Sequence, residues 1–332
     1  MQPDGTRLAR NERPTPIDLG PAAIVAACRD AVRRARADAP ADVTAELAGI
    51  GISSPGPVDP RSGVIVEPPN LGPQFRDVPI AAELAASEGL PAFLDRDTNV
   101  AALGERAFGA VRDVDDFIYL TVSTGIGGAI VSQGRLFHGP DGFAGELGHV
   151  VVDIDGPRCG CGGVGHLEGI AAGISLARHA EAALVAGKSP FLADRARQLP
   201  HGEELSAKDV AEGALAGDPV CVELMDRARR AIAAACVGYV NTFNPHRIVI
   251  GGAIAEAEGE RLLGPIREAI AAEAFQVVAR RVRVVPAGLG GDVSLAGAQP
   301  LVMSRLEAPA SLAQPADQRP ARPVAVPGGT RA

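Results

Sequence analysis

Aromatic residues and cysteine are both scarce in this chain of 332 residues, which contains 9 Phe, 2 Tyr, no Trp and 5 Cys. Hydrophobic residues nevertheless make up 46% of the sequence, so the core must be built from Ala, Val, Leu and Ile. Five cysteines do not form a disulfide framework in a chain of this length, which favours a reducing, cytoplasmic location. The length is about twice that of a usual domain and predicts two domains.

Positive charge is also in short supply, because 32 Lys and Arg residues face 40 Asp and Glu residues and leave a net charge of −8. A protein that wraps nucleic acid needs a positive surface, so we expect no nucleic-acid partner. The N-terminus has no apolar segment typical of a secretory signal. The longest apolar stretch of small residues, 231–240, has about half the length of a membrane span, so we expect no membrane association.

Strand and helix patterns alternate along the chain and predict an α/β fold. We expect a smaller N-terminal domain over 1–113, a larger domain over 114–306, and a disordered tail rich in Ala and Pro over 307–332. The predicted helices lie at 20–38, 79–88, 98–108, 166–187, 206–242, 260–275 and 293–305. The predicted strands are short apolar runs at 47–53, 91–95, 117–123, 128–131, 247–250 and 282–285.

Four residues of the types that bind zinc lie close together in the sequence: His149, Cys159, Cys161 and His166. Two thiolates and two imidazoles would complete a closed, tetrahedral structural site, and the glycines between them suit a chain folded tightly around a metal. The alternative is that the cysteines are ordinary small residues and that His166 merely precedes a helix. Spacing alone favours the two interpretations about equally.

Glu146 and Glu168 belong to the same segment, together with His149. Carboxylates and an imidazole that converge on one loop can hold a polyhydroxylated ligand through several directional hydrogen bonds. A solvated loop with two surface glutamates is the simpler interpretation of these residues taken by themselves.

Asp97 lies in the segment Asp95-Arg96-Asp97-Thr98-Asn99, between a predicted strand and a predicted helix. A carboxylate at this place commonly caps the helix through free backbone N–H groups, and the segment alone favours that role. The functional alternative is a general base that takes the proton from a substrate hydroxyl.

The segment Ser123-Thr124-Gly125-Ile126-Gly127-Gly128 is a glycine-rich turn between two predicted strands. Backbone amides in such a turn can approach phosphate oxygens, and the Thr hydroxyl adds a donor. A dinucleotide-binding fingerprint would need Gly at position 130 and a following helix, whereas position 130 is Ile and a strand follows. A plain β-hairpin turn is the other interpretation.

Taken in chain order, these segments resemble motifs of the ROK family (repressors, uncharacterised reading frames and sugar kinases), which includes many bacterial glucokinases. Asp97-Thr-Asn99-Val-Ala-Ala-Leu-Gly-Glu105 is similar to the family's Asn-Asp-x-Asn-Ala-Ala motif, which carries the catalytic base. Phe143-Ala-Gly-Glu146-Leu-Gly-His149 resembles Gly-Glu-Ile-Gly-His. Cys159-Gly-Cys161-Gly-Gly-Val-Gly-His166-Leu-Glu168 resembles the zinc and sugar loop Cys-x-Cys-Gly-x-x-Gly-Cys-x-Glu. Thr124-Gly-Ile-Gly127 matches the second phosphate loop, and Ile250-Gly251-Gly252 the segment near adenosine.

The resemblance implies the two-domain actin-like ATPase (ribonuclease H-like) fold with a zinc-stabilised loop, and a glucokinase-type hexose kinase that uses ATP with Mg²⁺. It implies a cytoplasmic homodimer, with Asp97 as the catalytic base. The implied sugar-binding residues are Asn70, Arg96, Glu146, His149 and Glu168. The implied ATP-binding residues are Thr124, Gly125, Gly127, Gly251 and Gly252, and the implied structural Zn²⁺ is held by His149, Cys159, Cys161 and His166. The alternative is a sugar-binding or regulatory ROK protein without phosphoryl transfer.

Three features depart from the family pattern. His166 replaces the usual Cys, although imidazole is a competent zinc ligand. Arg96 replaces an Asn beside the base, where its guanidinium could stabilise ionised Asp97 and weaken it as a base, point away, or recognise an anionic substrate group. Family kinases begin with a hairpin that carries Asp-x-Gly-Gly-Thr, and we expect about 20 residues of it to be missing here, through a late start or through loss of a phosphate loop.

Overall fold

The computed structural model describes residues 1–40, 47–68 and 71–307. The N-terminal part contains helices α1 (Pro21–Asp38) and α2 (Ile80–Glu88). They pack near strands β1 (Ile50–Ser54), β2 (Val58–Asp59), β3 (Val64–Ile65) and β4 (Ala92–Arg96). Strands β1 and β4 pair in parallel, with Ser53 opposite Asp95, and helix α3 (Asp97–Ala107) begins directly where β4 ends. The junction of β4 with α3 therefore fixes the position of Asp97.

The remaining strands form one five-stranded sheet in the order β7-β6-β5-β8-β9. Their bounds are β5 Phe117–Val122, β6 Ile126–Ser132, β7 Arg135–Leu136, β8 Arg247–Gly251 and β9 Arg283–Pro286. Strand β5 is antiparallel to β6 and parallel to β8, and β8 is parallel to β9. The carboxyl ends of β5 and β8 consequently lie side by side, which is the edge where ligands bind in open α/β sheets.

Nine further helices complete the chain as far as Glu307. They are α4 (Leu167–Ala171), α5 (Gly173–Val185), α6 (Pro190–Gln198), α7 (Ala207–Leu215), α8 (Pro219–Phe243), α9 (Ala253–Glu258), α10 (Glu260–Glu273), α11 (Gln276–Ala279) and α12 (Val293–Glu307). Single 3₁₀ turns lie at Ile17–Leu19, Leu147–His149 and Gly290–Asp292. Among these described residues, no helix combines the length and the apolar character that crossing a bilayer requires.

Strand β5 is apolar at almost every position because both of its faces are covered. Ile118, Leu120 and Val122 belong to a large core beneath α8, whereas Phe117 and Tyr119 belong to a smaller core on the opposite face beside α3. A separate apolar cluster lies among α1, α2 and strands β1 to β4. With so few aromatic residues, Ala, Val, Leu and Ile supply nearly all of this packing, as predicted.

Helix α12 packs along α3 through two glycines. A Cβ at Gly297 would overlap the carbonyl oxygen of Val100, and a Cβ at Gly104 would lie 2.7 Å from the carbonyl oxygen of Val293. Only hydrogen fits at these contacts, so the two backbones approach closely. The C-terminal helix thereby supports the helix that begins at Asp97.

The prediction of two long helices is wrong, because the structure divides each of them into two shorter helices. The helix expected over 166–187 is broken at Ala172, where the backbone is extended, because the N–H groups of Gly173 and Ile174 donate to the carbonyls of Ser123 and Thr124. The helix expected over 206–242 is interrupted where Asp218 caps the start of α8 with its carboxylate. The other predicted elements agree with the structure within about three residues at either end.

The predicted tail begins one residue too early. Residue 307 is the last residue of α12, and 308–332 lie outside the described residues. Residues 1–20 contain the 3₁₀ turn and, in this described stretch, no strand.

Candidate active site

Asp97 occupies the N-terminus of α3, immediately after β4. Its carboxylate accepts a hydrogen bond from the backbone N–H of Thr98 at 2.7 Å and remains open to solvent. Burial of the surrounding site raises the pKa of Asp97; the Thr98 N–H and the Arg96 guanidinium oppose the rise, and the negative charge of Glu146 adds to it. The N-cap of α3 is Arg96, which makes no side-chain capping hydrogen bond, and Asp97 is the first residue of the helix. Its bond to Thr98 satisfies one free N–H group of the first turn.

Arg96 is buried and directs its guanidinium toward the strand β6 and the loop after β7. Its Nε donates to Thr98 Oγ1 at 3.0 Å, and its Nη2 donates to the carbonyl oxygens of Gly128 at 2.8 Å and Ala144 at 3.1 Å. Its Nη1 forms an ion pair with Glu146. Of the three alternatives, the structure supports a guanidinium that points to partners other than Asp97, and the pKa of Asp97 is raised despite it.

The glycine turn between β5 and β6 lies against Glu168 and Thr98. Glu168 Oε2 accepts a hydrogen bond from the N–H of Ile126 at 3.0 Å, and a Cβ at Gly125 would lie 2.9 Å from that same oxygen. A Cβ at Gly127 would lie 2.8 Å from Thr98 Cγ2, next to Asp97. The turn is a β-hairpin connection, and its glycines permit the close approach to both neighbours. Thr124 is exposed at its tip.

Gly251 and Gly252 follow the adjacent strand β8, with Gly251 opposite Thr121 in the parallel register. Gly252 has φ +94°, and a Cβ there would lie 2.6 Å from Thr121 Oγ1 and from the carbonyl oxygen of Val122. Glycine is therefore required by both the backbone conformation and the space. The two glycine segments meet at one sheet edge, as parallel strand ends predict.

Two carboxylates flank the Cys and His cluster in the sequence. Glu146 is half-exposed and precedes the 3₁₀ turn Leu147–His149, while Glu168 lies in the first turn of α4. The Tyr239 hydroxyl of α8 donates to the carbonyl oxygen of Leu147 at 2.5 Å and holds this turn against the large core. Asn70, the fifth predicted sugar-binding residue, lies outside the described residues.

The four predicted zinc ligands converge, since their donor atoms all lie within 4.8 Å of one another. Cys159 Sγ lies 3.8 Å from His149 Nδ1, and Cys161 Sγ lies 3.2 Å from His166 Nδ1. Zinc–sulfur bonds of about 2.3 Å and zinc–nitrogen bonds of about 2.0–2.1 Å separate tetrahedral ligand atoms by about 3.3–3.8 Å. The two thiols and two imidazoles therefore fit a structural zinc ion, although other interpretations of the sequence were equally open.

Glu105 is a fully buried residue of this region to which no role was assigned from the sequence, although it ends the quoted Asn-Ala-Ala segment. Its carboxylate accepts hydrogen bonds from the backbone N–H groups of Ala110, Gly288 and Leu289 at 2.7–3.0 Å. It thus fixes the loop after β9 against the end of α3. Gly288 lies 183 residues from Glu105 in the sequence. The position of Glu105 near the end of α3 was therefore the only signal of its role.

Comparison with known proteins shows that this is a mixed α/β protein with the actin-like ATPase fold of ROK sugar kinases. The ROK family matches residues 1–305, and the chain belongs to this family. A glucokinase from Thermotoga maritima is 37% identical over 258 residues, which cover 77% of this chain and 80% of that protein.

Two further relatives show the range of the family. The crystal structure of a ROK family glucokinase from Streptomyces griseus in complex with glucose and AMPPNP matches with a TM-score of 0.72 and 32% identity, over 91% of this chain and 93% of that one. A xylose repressor from Caldicellulosiruptor bescii is 32% identical over 229 residues, which cover 69% of this chain and 56% of the repressor.

Proposed function

We propose that this protein transfers the γ-phosphoryl group of ATP to a hydroxyl of a hexose, as a kinase of glucokinase type. The observation that carries the proposal is the contact of the glycine turn with both sides of the site: Ile126 donates to Glu168, and Gly127 lies against Thr98 beside Asp97. A phosphate bound at the turn is then next to a hydroxyl held by the carboxylates. The relatives that act on sugars support the same reaction.

In this reaction Asp97 is the general base. Its carboxylate takes the proton of the sugar hydroxyl as the hydroxyl oxygen bonds to the γ-phosphorus and the bond to ADP breaks. A raised pKa suits this task, because a carboxylate whose pKa lies closer to neutral pH accepts a proton more readily. Mg²⁺ bound with ATP neutralises the charge on the phosphates, and positioning supplies most of the remaining acceleration.

The sugar and nucleotide occupy opposite sides of Asp97 in this proposal. Glu146, His149 and Glu168 bind sugar hydroxyls, with Asn70 as a further ligand. Arg96 contributes by holding Glu146, because its own N–H groups are directed to protein acceptors. The phosphates lie over Thr124, Gly125 and Gly127, and the adenosine lies near Gly251 and Gly252.

The proposed zinc ion has a structural role. His149, Cys159, Cys161 and His166 would hold it, and a closed site of four protein ligands leaves no position for substrate. Its contribution is to fix the loop that presents Glu168 and the ring of His149. We further propose that the protein acts in the cytoplasm as a homodimer, which light scattering with size exclusion tests directly.

The experiment that tests the activity is a coupled ADP-release assay with Mg-ATP and a panel of hexoses and aminosugars. Turnover with one sugar above the no-sugar rate supports the kinase. No turnover with any sugar, together with sugar binding in calorimetry, favours a second function, a sugar-binding regulator. The observation that favours this second candidate is the similarity to a xylose repressor.

A further inference from the structure

Asp95 is a buried carboxylate directly before Arg96 and Asp97, with a side chain only 1% exposed. Its two oxygens have different partners. Oδ1 accepts hydrogen bonds from Asn99 Nδ2 at 2.7 Å and from the backbone N–H of Arg96 at 2.8 Å. This oxygen therefore belongs to the junction of β4 with α3, where Asp97 lies.

The other oxygen, Oδ2, reaches two elements that are distant in sequence. His138 Nε2 lies 2.8 Å from it, and Arg305 Nη2 of helix α12 lies 3.6 Å from it. His138 is half-buried and begins the loop 138–146, which ends at Glu146. The loop folds back on itself, because the N–H of Ala144 donates to the carbonyl oxygen of His138 at 3.0 Å.

The far end of the same loop is held by the next residue of β4. Arg96 Nη2 donates to the carbonyl oxygen of Ala144, and Arg96 Nη1 pairs with Glu146. Successive side chains of a strand point to opposite faces. The loop 138–146 is thus attached to the end of β4 at both of its own ends, by two neighbouring residues, and Asp97 is the residue that follows them.

The charge of Asp95 is well compensated. Burial raises the pKa of Asp95, but the hydrogen bond and charge of His138, the Asn99 amide and the Arg96 N–H outweigh burial and lower it below the ordinary value. A buried carboxylate without such partners would destabilise the fold, so loss of one partner has a large local effect.

We propose that the contact between Asp95 and His138 is a latch that positions the loop 138–146, and with it Glu146, relative to Asp97 for sugar binding. Asp95 and His138 are positioning residues in this account, which rests on the proposed sugar site. With the latch broken, a smaller fraction of molecules has the binding-competent loop, and the apparent sugar affinity falls by that fraction. The hydrogen bonds of Asp95 and His138 described above involve none of the glycines proposed to bind ATP, so we expect the ATP affinity to change little.

The test uses His138→Leu and His138→Gln in the full chain. Leu removes the donor and raises the sugar KM about tenfold or more, while kcat and the ATP KM stay near the parent values. Gln keeps an N–H donor at nearly the same reach and restores most of the affinity. A His138→Leu protein with the parent's sugar KM, or a His138→Gln protein as impaired as His138→Leu, overturns the proposal.

Hydrogen exchange of the sugar-free protein gives a readout that does not require activity. The latch predicts faster exchange over 138–146 in His138→Leu, above all at the Ala144 amide, and parent-like exchange in His138→Gln. Equal exchange of these amides in His138→Leu and the parent contradicts the latch. If the parent itself neither binds nor phosphorylates any sugar, the proposed function fails, and exchange still decides whether the latch exists.

A matched pair of carboxylate variants separates positioning from stability. Asp95→Asn and Asp209→Asn each neutralise a buried aspartate whose pKa is lowered, and Asp209 lies in a capping box on α7, away from the site. Both variants lower the melting temperature, but only Asp95→Asn raises the sugar KM. Equal sugar KM values in these two variants are evidence against the latch.

Discussion

The two sides of the candidate site are held in place by different means. On the proposed sugar side, the loop that carries Glu146 and the cluster around Cys159 depend on side chains: an arginine, a buried carboxylate, thiols and imidazoles. On the proposed nucleotide side, Gly125 and Gly252 follow strand ends and have contacts too close for a Cβ, Gly125 with the Glu168 carboxylate and Gly252 with the Val122 carbonyl oxygen. We therefore expect the proposed sugar side to be sensitive to chelation and oxidation, and the proposed nucleotide side to added volume.

This difference makes the two halves separable by experiment. A change that loosens side-chain contacts on the sugar side should alter the sugar KM more than the ATP KM, since Glu168 is the contact between the two sides. A change that adds a methyl group at a strand end should alter the ATP KM alone. Asp97 lies between the halves and serves both, so its loss should alter neither binding constant but remove the chemical step.

Replacement of the base should have the largest effect. Asp97→Asn keeps an oxygen that can accept the Thr98 N–H, but it cannot take a proton. We expect kcat to fall by roughly 10²–10⁴ while calorimetry still detects sugar binding. Turnover equal to that of the parent would remove Asp97 from the role of base.

Loss of the proposed zinc ion should have the next largest effect and should act mainly on the sugar side. Cys159→Ser replaces a buried candidate ligand, so we expect lower zinc content by elemental analysis, a sugar KM raised at least about tenfold and a smaller change in the ATP KM. Cys28→Ser is the control, because Cys28 is a half-buried cysteine of α1 outside the cluster. Unchanged zinc content in Cys159→Ser would exclude this residue as a ligand.

The contrast also explains what could be predicted from the sequence. The four candidate zinc ligands, Glu146, Glu168 and Asp97 have distinctive side chains at recognisable spacing, and the donor atoms of the four Cys and His residues lie within 4.8 Å of one another. The orientation of Arg96 was left open because its acceptors, the carbonyls of Gly128 and Ala144, belong to distant segments. The breaks in two long helices were missed for the same reason: a helical repeat does not reveal that the N–H of Gly173 is needed by Ser123.

Added volume on the nucleotide side should have a smaller effect, and it should raise the ATP KM instead of the sugar KM. Gly252→Ala places a Cβ 2.6 Å from the Val122 carbonyl oxygen at φ +94°, so we expect a loss of about 1–3 kcal/mol of stability and a several-fold higher ATP KM, with the sugar KM unchanged. Gly217→Ala is the matched control, since it has φ +83° but nothing within 4 Å of its Cβ. It should lose stability without any change in either KM. A raised sugar KM in Gly252→Ala would show that the two sides are not separable.

The smallest expected effect is a displacement of the pH profile, and it tests where the two sides meet. Only ionised Asp97 accepts a proton, so kcat/KM should fall as pH is lowered through its pKa, at a pH above the ordinary aspartate range because the pKa is raised. Arg96 lowers this pKa and Glu146 raises it. Arg96→Gln should therefore move the acid limb to higher pH, and Glu146→Gln should move it to lower pH.

Opposite displacements in these two variants are the signature of a charge effect on Asp97. A general loss of loop order would move the acid limb of both variants in the same direction. Arg230→Gln supplies the control for net charge: it removes one positive charge from an exposed pair with Glu223 on α8. Its acid limb should coincide with that of the parent, because both residues of this pair are exposed and neither contributes to the pKa of Asp97. Displacements of the same sign in Arg96→Gln and Glu146→Gln would mean that the acid limb reports a group other than Asp97.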